Sequence, residues 1–269
     1  MFYKKIKVNT LISLILLSSN CYAENKLLTA REIMDKAADV DKGDTIEQDM
    51  LMLLINKSNQ VREKEFKVYQ RKDGNDRLQI MFIKSPKFLR NTAILTFDYY
   101  DNMKDDIQRI YIPAAKKIKR IPSSDQSSSF MGSDFSYHDL VRHNFDYYNL
   151  KLIKEDTFNG HNVWVIETKP INQKEKEESG YKKTIDFIRK DNYMLIHSIM
   201  FLKNENQKKI YNVIKMHQKE DIWIIDETKM TTKEGDKVLH ETIFKFKNIK
   251  INKHIEKNMF TTRRLEKGI

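Results

Sequence analysis

Ser133, His138 and Asp139 are the residues whose types could supply a nucleophile, a base and its orienting acid. All three fall within one stretch of seven residues, too close together for their side chains to reach the geometry acyl transfer needs. Gly132-Ser133-Asp134 also offers a single glycine where a nucleophile elbow has two. His138 and His143 are five apart, off one helical face, and neither a His-Glu-x-x-His sequence nor a cysteine pair accompanies them. Asp105-Asp106 and Glu177-Glu178 stand in turn-like, charged surroundings with nothing to raise a pKa for acid–base work. Seven glycines leave no phosphate-cradling loop. The residues therefore point away from an enzyme, a metal site or a cofactor, and toward binding. Ser133 and Asp134 are expected to bond to neighbouring backbone and hold the loop's shape, with Gly132 taking a backbone angle other residues resist.

The elements around this stretch read as hairpins. A capping box, Thr29-Ala30-Arg31-Glu32, starts a short helix whose Ile33, Ala37 and Val40 share a face, with Gly43 ending it. Extended runs follow, from Thr45 to Asn56, Val61 to Arg71, Arg77 to Lys84 and onward to Val238–Ile251, separated by turn sequences such as Lys72-Asp73-Gly74-Asn75 and Asn159-Gly160. By count of turn signals there are about eleven strands. The connections are too short for parallel crossovers, and no repeat of propeller or solenoid length occurs. The charged run Lys174–Glu178 is read as a solvated connection between strands.

Several strands are apolar on both faces, notably Met50 to Ile55 and Ile80 to Ile83. An antiparallel sheet with one wet face should alternate. Either helices cover both sides, or one face packs on a core while the other lines a cavity. With few helices in the pattern, the cavity is the expectation. Methionine fills irregular apolar space and repacks readily, so Met50, Met52, Met81, Met194 and Met200, with Ile94 and Trp164, are candidate walls. Phe130, Met131 and Phe135 are candidate lid residues.

The N-terminus has a different character. Lys4, Lys5 and Lys7 precede an apolar run from Val8 to Leu17, then Ser18, Ser19, Asn20 and Cys21-Tyr22-Ala23, the order of a secretory signal peptide too short to span a bilayer. Residues 1–23 are expected to be cleaved after Ala23, sending 24–269 to the periplasm as one domain. Lipidation at Cys21 is the alternative. The formal charge of +11 would fall to +8 with those three lysines gone. No nucleic-acid motif accompanies it, and the basic residues Lys116, Lys117, Lys119 and Arg120 suit transient contact with anionic headgroups or an acidic partner.

Tyr111-Ile112-Pro113, the basic strand ending in Arg120-Ile121, and Ser129-Phe130-Met131-Gly132-Ser133-Asp134-Phe135-Ser136-Tyr137 followed by Asp139-Leu140 resemble the signature of the outer membrane lipoprotein-sorting family, relatives of the periplasmic lipoprotein carrier LolA. The likeness covers roughly residues 27 to 266. Asn91 departs from it, standing where the family tends to have glycine. The resemblance implies a mainly β fold, a strongly curved antiparallel sheet forming an incomplete barrel with short helices at its mouth. It further implies a monomeric carrier of lipid or lipoprotein acyl chains between membranes, with an inner-membrane exporter of the resistance-nodulation-division type as partner. A non-transporting periplasmic sensor or scaffold that holds a lipid or peptide would use the same cavity.

Overall fold

The computed structural model of the chain describes residues 27–101 and 104–269. The expected signal peptide and Cys21 lie outside the described residues.

The capping box forms as read: the Thr29 side chain accepts from the Glu32 backbone, and the Glu32 carboxylate accepts from the Thr29 backbone. Helix α1 (Ala30–Ala38) follows and buries Ile33 and Met34. It ends at Asp39, before Gly43. Gly43 instead takes a positive φ of 82° at the entry to the first strand, where a Cβ would stand 2.4 Å from the Ile251 side chain, so glycine is required there for a close approach of backbone and side chain.

Thirteen strands make one antiparallel sheet. They are β1 (Thr45–Asn56), β2 (Val61–Asp73), β3 (Asp76–Ser85), β4 (Ala93–Asp98), β5 (Ile107–Ile112), β6 (Lys117–Ile121) and β7 (Tyr148–Phe158). The remainder are β8 (His161–Pro170), β9 (Tyr181–Arg189), β10 (Leu195–Leu202), β11 (Gln207–Lys219), β12 (Ile222–Glu234) and β13 (Lys237–Ile251). The turn count falls two short because each extended run, even those of five or six residues at β4 to β6, is its own strand. Neighbours in the sheet are neighbours in sequence except where β1 pairs with β13, Met52 opposite Phe244. That single long-range pairing joins the β1–β6 meander to the β7–β13 meander. The sheet is curved but not closed into a barrel, and its free edges are β6 and β7.

Alternation explains the two-faced apolarity. On β3, Met81 and Ile83 belong to the cluster on the concave side, with Met50, Met52, Leu54, Phe66 and Val68. Leu78, Ile80 and Phe82 point the other way and meet Ile255, Phe260 and Leu265 of the C-terminal segment. There α3 (Thr262–Lys267) lies against the outside of β3 and β4, and Leu265 is wholly buried. Two-sided apolarity at β3 thus reflects a sheet covered on both sides, the alternative that the scarcity of helical signals argued against. A six-residue helix with one leucine leaves little periodicity to detect.

Asn91 occupies a left-handed conformation, φ +64°, which accounts for a glycine preference at this place, since Asn tolerates that region better than most residues.

Candidate functional site

Because β6 and β7 are consecutive in sequence and lie at opposite edges of the sheet, residues 122–147 must cross from one edge to the other. The crossing is a strap rather than a lid. Phe130 is fully buried, with its ring 6.1 Å from Phe66 and 5.6 Å edge-on from Tyr137. Phe135 stacks on Phe244 of β13 at 4.3 Å and meets Tyr211 of β11 edge-on at 6.2 Å. A short ladder holds the two aromatics together: the Phe130 N–H donates to the Phe135 carbonyl at 2.7 Å, and Ser129 bridges Ser136.

The bend between them uses the expected residues. Met131 and Gly132 both have positive φ, 51° and 79°, and Lys64 Nζ donates to the Met131 carbonyl at 2.6 Å. The Ser133 hydroxyl donates to the Phe135 carbonyl at 3.2 Å. Asp134 reaches further than a local turn residue would. Its buried carboxylate accepts from Thr232 Oγ1, from Thr242 Oγ1 at 2.7 Å and from the His240 ring at 2.7 Å, while its own N–H donates to Thr242 Oγ1 at 2.9 Å. The strap is bolted to β12 and β13 by this one side chain.

Ser133, His138 and Asp139 do not assemble. His138 Nε2 lies 3.1 Å from Glu175, and Asp139 accepts from the Tyr181 hydroxyl at 2.9 Å. Glu175 corrects the reading of Lys174–Glu178 as a solvated connection. The run forms helix α2 (Gln173–Ser179), and Glu175 is buried beneath it, also accepting from Tyr148. Burial alone would raise the Glu175 pKa, but hydrogen bonds from His138 and Tyr148 outweigh it and hold the carboxyl below its ordinary value. His143 stacks near His138, ring centres 4.5 Å apart, and burial followed by the repulsion of His138 lowers its pKa to about 4.

Beneath the strap the concave side encloses a cavity of about 780 Å³, within the range of roughly 300–1,000 Å³ typical of small-molecule sites. Of the candidate wall and lid residues, Phe135, Met194 and Met200 line it. Met50, Met52, Met81, Ile94 and Phe130 do not. They pack with one another in the filled part of the concave side, and Met131 leans on the same cluster. Trp164 stacks on Tyr193 at 5.5 Å and packs among the residues that cover α1. The strap's aromatics fill space that strand patterns alone leave hollow.

Further apolar wall comes from Tyr211, Met230, Phe244 and Phe246. The alternating Phe244-x-Phe246 on β13 was a legible signal for two of these. The lining is also more polar than an oily hollow: Gln48, Gln70, Gln79, Thr96 and Thr228 form a belt, and Lys42, Arg77, Asp98 and Arg142 stand beyond it. Lys42 borders the hollow with its side chain exposed. Enclosure, with repulsion from Arg77 next, lowers its pKa to about 8. Burial raises the Asp98 pKa in spite of Arg142 and Arg77. Nearby Asp106 is pushed up to about 7 by burial and then by Asp98. Such charges have no sequence-local signature, since they converge from α1–β1, β3, β4 and the strap.

Lys116, Lys117, Lys119 and Arg120 are exposed on and beside the edge strand β6. Lysines on a free edge also discourage another chain from pairing there.

A bent, open antiparallel sheet with a hollow on its concave side, strapped from edge to edge, defines the LolA-like fold class. The chain belongs to the family whose model, described as "-like: Uncharacterized protein", matches residues 75–267. It is similar in structure to a putative outer membrane lipoprotein-sorting protein domain from Vibrio parahaemolyticus, with 24% identity and a TM-score of 0.77 over 88% of this chain and 98% of the other. A DUF1329 family protein from Desulfovibrio piger gives 21% identity and a TM-score of 0.77 over 88% and 97%. A LolA superfamily protein from Nitrosomonas europaea gives 15% identity and a TM-score of 0.67 over 88% and 100%. The comparison with curated proteins found no match.

Proposed function

We propose that this protein is a periplasmic carrier that shelters the acyl chains of a lipid or lipoprotein and moves them between membranes. The observation that carries the reading is the cavity of about 780 Å³ held on the concave side of a sheet that leaves its two edges unpaired. Each buried methylene contributes about 0.8 kcal/mol, so a hollow walled by Met200, Tyr211, Met230, Phe244 and Phe246 lowers the cost of carrying a fatty chain through water. The fold is shared with a lipoprotein-sorting domain and a LolA superfamily protein, which supports the same class of cargo. An inner-membrane exporter of the resistance-nodulation-division type belongs to the proposal as the partner in transfer.

Transfer of labelled lipid from donor to acceptor vesicles tests this. The protein should accelerate exchange, and Met200→Trp, which narrows the cavity from a half-buried position, should reduce the acceleration with the fold intact. Tight binding without acceleration would favour a sensor or scaffold instead.

A further inference from the structure

The antiparallel order places three hairpin connections side by side at one end of the sheet: β1–β2, β3–β4 and β5–β6. The residues they present share one character. Lys57 and Arg62 flank the first, Lys87 and Arg90 lie in the second, and Lys116 and Lys117 close the third, all of them exposed. Among the described residues none of these six makes an ion pair, whereas Lys67, Lys154, Lys174, Lys182, Lys183 and Lys190 elsewhere are each paired with a carboxylate. At this end the acids on the β1–β6 half of the sheet are Glu63 and Glu65 of β2, too few to neutralise it. Beyond β13 the same end turns mixed in sign, with exposed Glu234 and Asp236 beside Lys237 in the β12–β13 turn, so the basic patch is confined to β1–β6. At its middle, in the short turn Lys87–Leu89, the Phe88 side chain is 83% exposed while the adjacent Leu89 packs inward on the concave cluster. Val61, half exposed, lies on the neighbouring β1–β2 hairpin.

We infer that this end of the sheet is a docking surface for an anionic lipid membrane, with Phe88 entering the headgroup layer and the six unpaired cations meeting lipid phosphates. An exposed aromatic ring on the middle of three cation-bearing hairpins is unfavourable in water and suited to an interface that is apolar beneath and negatively charged above. A basic patch alone would suit many acidic partners; the protruding ring at its centre selects the lipid surface. On the β1–β6 side the cavity reaches the opposite end, where Lys42, Asp44, Asn75 and Tyr100 line it, and on the β7–β10 side it also extends to Pro170, Ser179 and Tyr181. The inference does not depend on what the cavity carries.

Flotation of the protein with vesicles is the test. It should bind phosphatidylcholine vesicles containing phosphatidylglycerol, bind pure phosphatidylcholine far less, and release as salt screens the contact. Lys87→Ala with Arg90→Ala should weaken binding about twenty-five-fold, at roughly fivefold per lost charge. Phe88→Ser should weaken it with the salt response retained, and since Phe88 makes no buried contact the variant should melt like the parent. Lys219→Ala with Lys253→Ala, exposed charges at the other end, should bind normally. Absence of binding to anionic vesicles, or equal weakening by the two charge pairs, overturns the inference.

Discussion

The carboxylate of Asp134 lies 2.7 Å from the His240 ring nitrogen, although 106 residues separate them. Through this contact and those to Thr232 and Thr242, one side chain on the strap fixes how the two meanders of the sheet are bridged.

Asp134→Ala should therefore cost more than a surface loop change does. It leaves two threonine hydroxyls and a histidine ring without their acceptor in a buried place, and hydrogen bonds to a charged group contribute about 1.5–3 kcal/mol each before partial rescue by water. A loss of roughly 2–4 kcal/mol in urea unfolding is expected. Asp134→Asn should recover part of it. A loss under about 0.5 kcal/mol would mean that the strap is held by its aromatics alone.

Leu265 tests the outer cover. It is wholly buried against Leu78, Ile80, Phe82 and Leu95 on the side of the sheet away from the cavity. Leu265→Ala should destabilise by about 2–5 kcal/mol and leave lipid binding by the folded fraction unchanged. Reduced affinity in fully folded protein would mean that the C-terminal helix shapes the cavity as well.

Two half-buried groups give stability opposite slopes against pH. His143 has its pKa lowered to about 4, chiefly by burial. Its folded value lies below its unfolded one, so its stabilising effect is complete above about 6.5 and is lost as pH falls toward 4. Asp106 is raised to about 7, chiefly by burial. Its effect is complete below about 3.9 and is lost as pH rises through 7. The windows overlap and partly cancel in the parent protein. Single variants separate them: His143→Phe should flatten the acid limb, and Asp106→Asn should raise stability at pH 8 while changing little at pH 4. Parallel pH profiles in both variants and the parent would refute the assignment.

Much of the fold was legible because hairpins write themselves locally. The Thr29–Glu32 capping box and the Asn159-Gly160 turn each depend on neighbours in sequence, and each is in the structure. The sequence pattern did not disclose which oily residues line the hollow. Met52 and Met200 look alike in their strands; one is buried under Phe130 and the other faces the cavity, and the difference lies in where the strap crosses. Glu175 was hidden for the same reason, since a carboxylate in a charged run gives no sign that His138 and Tyr148 will meet it from elements distant in sequence. The charged belt at Arg77, Asp98 and Arg142 likewise exists only once β3, β4 and the strap have converged.

Phe130 and Phe135 separate packing from lining most directly. Both are buried aromatics of the strap, and replacing either by alanine should cost about 3–5 kcal/mol, enough to be read by thermal or urea unfolding. A charge at Phe135 would be worse than a lost ring, because it would stand unpaired between Phe244 and Tyr211, so a charged variant reports unfolding before it reports on cargo. Alanine avoids that confusion. Only Phe135 borders the cavity, so Phe135→Ala should enlarge the hollow and alter the affinity or stoichiometry for a fluorescent fatty acid. Phe130→Ala should leave both unchanged in protein kept folded at low temperature. Should the two variants shift fatty-acid binding equally, the ligand must displace the strap instead of occupying the space beneath it, and the whole crossing from β6 to β7 would have to move for each binding event.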